Sequence, residues 1–195
     1  MTDHLIFYSG GLASWATAKR VAKKHGTKNL KMLFTDTLIE DADLYRFLDE
    51  SAVNVGGELI KIADGRTPWE VMKDVRLLAN SRLDPCSRIL KREMATNWVK
   101  ENYPDPQSVV LYIGMNWDEE HRYKRSQNFW KPYFVESPLL EPPYLMKDDM
   151  IAWCNKEGVK HPRLYDMGFP HNNCGGGCVK AGAAHFKHLL KELPE

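Results

Sequence analysis

The sequence has no long apolar run, no marked excess of charge of one sign, no low-complexity tract and no internal repeat. Without about 18 consecutive apolar residues, no segment reads as a membrane-spanning helix, so no membrane partner is expected. Its 27 Lys and Arg against 26 Asp and Glu exclude a generally basic nucleic-acid binder while leaving room for a local basic patch. The N-terminal stretch MTDHLIFYSGG carries an acid where a leader would carry bases, so it does not read as a secretory signal. Four cysteines in 195 residues are too few for a disulfide scaffold, and in the expected cytoplasmic setting they stay reduced. A hydrophobic fraction of 43% is enough to build a core.

What is present alternates. Short apolar runs at Leu5–Tyr8, Leu30–Phe34, Leu59–Ile62 and Val109–Ile113 read as buried strands. Between them, Leu12–Lys24, Asp43–Val53, Trp69–Ala79 and Ile89–Asn102 carry apolar residues at helical spacing, and Glu119–Trp130 follows the last strand as a polar helix. Phe134–Leu140 reads as extended, and further helices are expected at Lys147–Lys156 and Ala181–Leu193. Such alternation predicts an α/β fold, a mostly parallel sheet with helices on both faces. A nucleotide-binding domain is expected over 1–140. An extension over 141–195 would fold against the carboxyl edge of the sheet, where such folds bind ligands.

Ser9-Gly10-Gly11-Leu12-Ala13-Ser14 lies between the first strand and the first helix. The glycines allow a sharp turn with exposed N–H groups, and the helix N-terminus adds partial positive charge, so the turn suits phosphate or pyrophosphate. The bland alternative is an ordinary strand-to-helix turn capped by serine. The turn lacks the Gly-Lys-Ser/Thr of the phosphate-loop NTPases and the three-glycine dinucleotide fingerprint. Asp36, with Thr37 after it, ends the second strand, where its carboxylate suits a ribose hydroxyl, an adenine amine or hydrated Mg²⁺, or simply caps the next turn. Gly114 closes the strand at Val109–Ile113, and Arg122 and Arg125 share a helix face, suited either to clamping anions or to lying in solvent.

Cys174 and Cys178 frame three glycines, and Cys86 stands beside Pro85 at a helix start. The pair suits a metal or a redox dithiol. Three thiolates suit a [4Fe–4S] cluster with one open iron, or zinc completed by His171 or His161. Cys154, beside Trp153 in a helix, reads as a buried core residue.

These residues carry a resemblance. The chain resembles the PP-loop adenine nucleotide α-hydrolase superfamily over almost its whole length, and within it the phosphoadenosine/adenosine phosphosulfate reductase group. Ser9–Ser14 matches the pyrophosphate loop. Phe34-Thr35-Asp36-Thr37 with Glu40 and Leu44-Tyr45 resembles the nucleotide-side strand, and Cys86 with Lys91 resembles the central cysteine-and-lysine segment. Gly114 to Arg122, Ser137–Leu140, Leu164–Phe169 and the Cys174–Cys178 pair follow in the family's order. There are departures. Ser87, not a second cysteine, follows Cys86; three residues rather than two separate the distal pair; and no cysteine follows Cys178 to serve as the reductases' C-terminal nucleophile.

The three-cysteine set resembles the cluster-dependent tRNA 2-thiolation enzymes of the superfamily. That resemblance implies ATP with Mg²⁺, adenylation of an acceptor, and sulfur transfer through a [4Fe–4S] cluster held by Cys86, Cys174 and Cys178. It implies pyrophosphate on Ser9, Gly10, Gly11, Leu12, Ala13 and Ser14, nucleotide contacts from Asp36, Thr37 and Gly114, and charge compensation from Lys91, Arg122 and Arg125. The acceptor would be a small molecule or a nucleobase in tRNA, served by a sulfur or thiol donor, and the protein a possible homodimer. One alternative is a phosphosulfate (PAPS or APS) reductase-like enzyme using an external thiol. Another is a non-catalytic nucleotide-binding protein with a structural zinc.

Overall fold

The computed structural model describes residues 2–80 and 82–194; Met1, Ser81 and Glu195 lie outside them. Five strands, β1 (Asp3–Phe7), β2 (Leu30–Asp36), β3 (Glu58–Ala63), β4 (Val109–Tyr112) and β5 (Phe134–Glu136), form one sheet in the order β3-β2-β1-β4-β5. Every pairing is parallel, as expected where helices supply each crossover.

The pleat sorts the strand residues into two cores. Ile6, Met32 and Phe34 face one way, packing on α1 (Leu12–His25), α2 (Ala42–Val55) and α6 (Lys147–Lys156) through Trp15, Phe47, Leu48, Met150 and Cys154. Leu5, Leu33, Leu111 and Val135 face the other way. They pack on Ala95 and Val99 of α4 (85–102) and on Trp130 of α5 (Glu120–Trp130). This alternation places helices on both faces.

Two departures from the expected elements bear on the site. The helix expected over Trp69–Ala79 stops at Asp74 as α3 (Pro68–Asp74), and Arg76 turns left-handed at φ 53°. The apolar spacing continues, but Leu78 is 81% exposed, and a helical face that nothing covers gains little from continuing. In the other direction, α4 begins at Pro85 rather than Ile89, so Cys86 lies in its first turn. Its middle, Arg88–Glu93, is wound as a π-turn, an irregularity that often marks functional positions.

The sheet reverses its winding between β1 and β4. β2 and β3 build outward on one side, and the chain then returns to lay β4 on the other side of β1. Crevices at the carboxyl ends of the strands flanking such a reversal are where open α/β sheets bind ligands. The segment after α6, including α7 (Arg163–Asp166), crosses these strand ends before α8 (Ala183–Glu192). Arg163 grips Asp41 with two parallel bonds, Nε to Oδ1 at 2.9 Å and Nη2 to Oδ2 at 2.7 Å. Asp43 accepts the Arg163 backbone N–H at 2.7 Å and Arg46 Nε at 2.6 Å.

Asp43 allows a pH prediction. Its hydrogen bonds from Arg46, more than its partial burial, hold its carboxyl below the ordinary carboxylate range. The folded value lies under the unfolded one, so the stabilisation is present above the ordinary value and disappears as pH falls through the folded value. Asp43→Asn is expected to lower stability at neutral pH by about 1–2 kcal/mol and to flatten the loss of stability below about pH 4. Urea unfolding at several pH values measures both. An unchanged acid limb would remove Asp43 as a contributor.

Candidate functional site

Two cavities open at the carboxyl ends of the strands and share one side chain. The first, about 380 Å³, is lined by Tyr8 and Ser9 after β1, Thr35 of β2, Lys91, Arg92 and Ala95 of α4, and Arg125, Ser126 and Phe129 of α5. The second, about 270 Å³, is lined by Thr37, Trp69, Lys91, Arg122, Asn173 and the thiol-bearing residues Cys86, Cys174 and Cys178. Lys91 lines both. The π-turn carrying it places its ammonium where the two spaces meet.

The Ser9–Ser14 turn occupies the reversal point. Gly10 has φ +74°, a left-handed conformation that favours glycine. Gly11 caps α1, whose first N–H groups lack intrahelical acceptors. Ser14 is buried and donates to the Gly11 carbonyl at 2.8 Å, while Ser9 donates to the Ser14 hydroxyl at 3.3 Å. Gly114 approaches from the end of β4. A Cβ there would stand 2.9 Å from the Ala13 carbonyl carbon and oxygen and from the Ser14 nitrogen, so the close passage of two backbones requires glycine.

The turn is braced from the far end of the chain. Asn172, 2% exposed, donates from Nδ2 to the Gly10 carbonyl at 3.1 Å. The Tyr165 hydroxyl accepts the Leu12 N–H, and the Lys147 ammonium lies 4.5 Å from the Tyr165 ring centroid. None of these braces was singled out from the sequence. Asn172 stands beside a conspicuous cysteine motif, which drew attention away from it.

Glu40 is a second residue missed in this way. Its side chain is 1% exposed and collects Thr37 Oγ1 at 2.9 Å, Lys91 Nζ at 3.3 Å and the Cys174 N–H. Burial pulls the Lys91 ammonium down, but Glu40 and the neighbouring thiols outweigh it and hold Lys91 above its ordinary range. Lys91 therefore stays charged between the two cavities. In sequence, Glu40-Asp41 looks like part of a solvated turn.

Asp36 has a different setting from the expected one. Its Oδ1 accepts the Leu38 N–H and the Tyr45 hydroxyl, each at 2.8 Å, the turn-capping arrangement that was the bland alternative. Its neighbour Thr37 reaches the thiol cavity. Arg122 and Arg125 divide between the two cavities, Arg122 on the thiol side and Arg125 on the other; Arg122 also pairs with Glu119. Among the aromatics of α5, Trp130 is core and stacks on Phe7 with ring centroids 4.9 Å apart, whereas Phe129 is exposed at the cavity rim.

Cys174 and Cys178 are brought together by a backbone that turns left-handed at Cys174, Gly175 and Gly176 (φ 52°, 56° and 82°). The Cys174 thiol donates to the Cys178 sulfur, which lowers Cys178 well below the ordinary thiol range and raises Cys174. The Lys180 N–H, His171 and Lys91 also favour the Cys178 thiolate. Burial pushes the Cys86 thiol up. Cys154 is fully buried, donates to the Val159 carbonyl at 3.3 Å and is pushed up to about 12 by burial.

Among the described residues, no group of three or more His, Cys, Asp and Glu side chains gathers closely enough to hold a metal ion. The three cysteines share a cavity wall without forming a ligand set, and two of them are engaged with each other. As placed, they do not fit an iron–sulfur cluster or a three-ligand zinc site, and no chemical step is derived through either group.

Comparison with known proteins bears on the fold. No family model matches the chain, and no curated protein matches it in sequence. Among solved structures, it is similar to the phosphoadenylyl-sulfate (PAPS) reductase from Candida auris, crystallised as a phosphate complex. The TM-score is 0.56 at 19% identity, over 85% of this chain and 78% of the other. The chain thus has a PP-loop, PAPS-reductase-like fold. Among the described residues, no helix is long and apolar enough to cross a membrane.

Proposed function

We propose that this chain is an enzyme that binds an adenine nucleotide bearing a phosphosulfate and reduces it at the expense of an external thiol. The observation that carries this reading is Lys91. It joins a cavity beside the glycine turn to a cavity lined by three cysteines, so an anionic group held at their junction would meet sulfur chemistry next to a fixed positive charge. In this reading the Ser9–Ser14 turn and the α1 N-terminus hold a phosphate. Lys91, Arg122 and Arg125 offset the remaining negative charge, and Phe7 and Phe129 provide apolar surface for the base. The fold shared with the C. auris PAPS reductase supports the substrate class.

Calorimetric titration of the reduced protein with phosphoadenylyl sulfate, ATP and ADP tests the reading, together with release of sulfite in the presence of dithiothreitol. The phosphosulfate is expected to bind at least about tenfold more tightly than ATP, a difference of about 1.4 kcal/mol, and to yield sulfite. Binding of ATP alone, without sulfite, would overturn the reductive reading and keep the nucleotide site.

A second reading is favoured by the shared cavity wall of Cys86, Cys174 and Cys178. It is an ATP-dependent enzyme that adenylates an acceptor and transfers sulfur to it, the cysteines being drawn together when they take up a [4Fe–4S] cluster. Anaerobic purification followed by iron and sulfide analysis decides it. About four irons per chain, with pyrophosphate released from ATP, would establish it over the first.

A further inference from the structure

We propose that Cys174 and Cys178 are a redox-active dithiol that closes to an intrachain disulfide by exchange with a small organic disulfide and is reopened by small thiols. The inference goes beyond the nucleotide chemistry above, since nothing in it depends on which nucleotide binds. It starts from the contact itself. The two sulfurs are already hydrogen-bonded to each other, so the S–S bond needs only a short closing movement. Gly175, Gly176 and Gly177 lie between them. Gly175 and Gly176 have positive φ, conformations that glycine adopts without strain, so the backbone can adjust to the narrow geometry of a disulfide.

Access is the second observation. Both cysteines are only partly buried and line the 270 Å³ cavity, with Trp69 and Ile39 as apolar wall and Lys91 and Lys180 as cationic wall. That combination suits a small anionic disulfide carrying carboxylates, such as a glutathione-type peptide. Cys86 lines the same cavity but is hydrogen-bonded to neither partner, and Cys154 is sealed in the core. The pair is therefore selected from the four free cysteines by contact and exposure together.

The exchange balances. One protein thiolate attacks a sulfur of the small disulfide, forming a mixed disulfide and releasing one small thiolate. The second protein thiolate then attacks the protein sulfur of that mixed disulfide, forming the Cys174–Cys178 bond and releasing the second small thiolate. The protein loses two electrons and two protons, and the small disulfide gains them. A small thiol reverses both steps.

The test uses the full chain with its metal content measured on isolation. It is equilibrated at set ratios of reduced to oxidised glutathione, quenched in acid, alkylated and analysed by mass. The expected result is a single step in which two of the four thiols disappear with a loss of about 2 Da and no retained glutathione, and in which peptide mapping links Cys174 to Cys178. Cys86→Ser is expected to keep that step. Cys178→Ser is expected to trap one glutathione on Cys174, and should this variant fold poorly, the wild-type peptide map still decides. Stable glutathione adducts on both cysteines, a disulfide involving Cys86, no oxidation at any ratio, or stoichiometric iron or zinc released only when these cysteines are alkylated would each overturn the proposal. Nucleotide titration of the fully reduced protein, run in parallel, reports separately on the nucleotide site.

Discussion

Lys91→Met is expected to lower turnover by at least about 100-fold and stability by about 2–3 kcal/mol. The first figure follows from position. A preorganised charge removed from beside a reacting anion lowers rates by about 10²–10³, and Lys91 is the side chain that both cavities share. The second follows from its partner. Glu40 is 1% exposed, and losing Lys91 would leave it a buried carboxylate held only by Thr37 and the Cys174 N–H. Breaking a buried pair from one side costs about 3–5 kcal/mol, and the 30% exposure of Lys91 reduces that. The double variant Glu40→Gln/Lys91→Met separates the effects. It is expected to recover most of the melting temperature and none of the turnover. A Lys91→Met protein with wild-type turnover would remove Lys91 from the chemistry.

Gly114→Ala carries the second large effect. The added methyl would meet backbone atoms of Ala13 and Ser14 at 2.9 Å. No side-chain rotation can relieve such a contact, so either β4 or the glycine turn must shift. Overpacking of this kind costs about 1–3 kcal/mol. Because the atoms displaced belong to the turn, nucleotide affinity is expected to fall by about tenfold or more. Gly182→Ala is the control: at φ −83°, with nothing within 4 Å of the added carbon, it should leave affinity unchanged. Calorimetry on the three proteins decides. Equal affinities would show that the nucleotide does not depend on the turn's position.

The parts of this site that were legible in the sequence are those whose chemistry is local. Ser9–Ser14 announces itself because two glycines and two serines between an apolar run and a helix have few other uses, and Gly114 because it ends a β-branched strand. The strands were legible because parallel strands buried on both faces read as short continuous apolar runs. Glu40 and Asn172 were not, because each acquires its role from a partner distant in sequence. Glu40 meets Lys91 51 residues on and Cys174 134 residues on, and Asn172 meets Gly10 across 162 residues. Asp36 shows the same limit from the other side. Its place at a strand tip was legible, but whether its carboxylate faces a ligand or the Tyr45 hydroxyl depends on where α2 comes to lie. The cysteines were legible as a set, yet their pairing follows from the left-handed run at 174–176, which three glycines permit without requiring.

The brace from Asn172 to Gly10 has a consequence for biosynthesis. A ribosome releases the glycine turn among the first residues of the chain and its brace only after some 160 more. The sheet can assemble from β1 to β5 meanwhile, since its last strand ends at Glu136. A nascent chain is therefore expected to pass through a stage in which the α/β layers are folded and the phosphate cradle is still unfastened. Competence for nucleotide would be acquired late and all at once, when the cysteine-bearing segment docks. Contacts this distant along the chain form last because loop closure must precede them. The first motif to be translated is thus among the last to be finished.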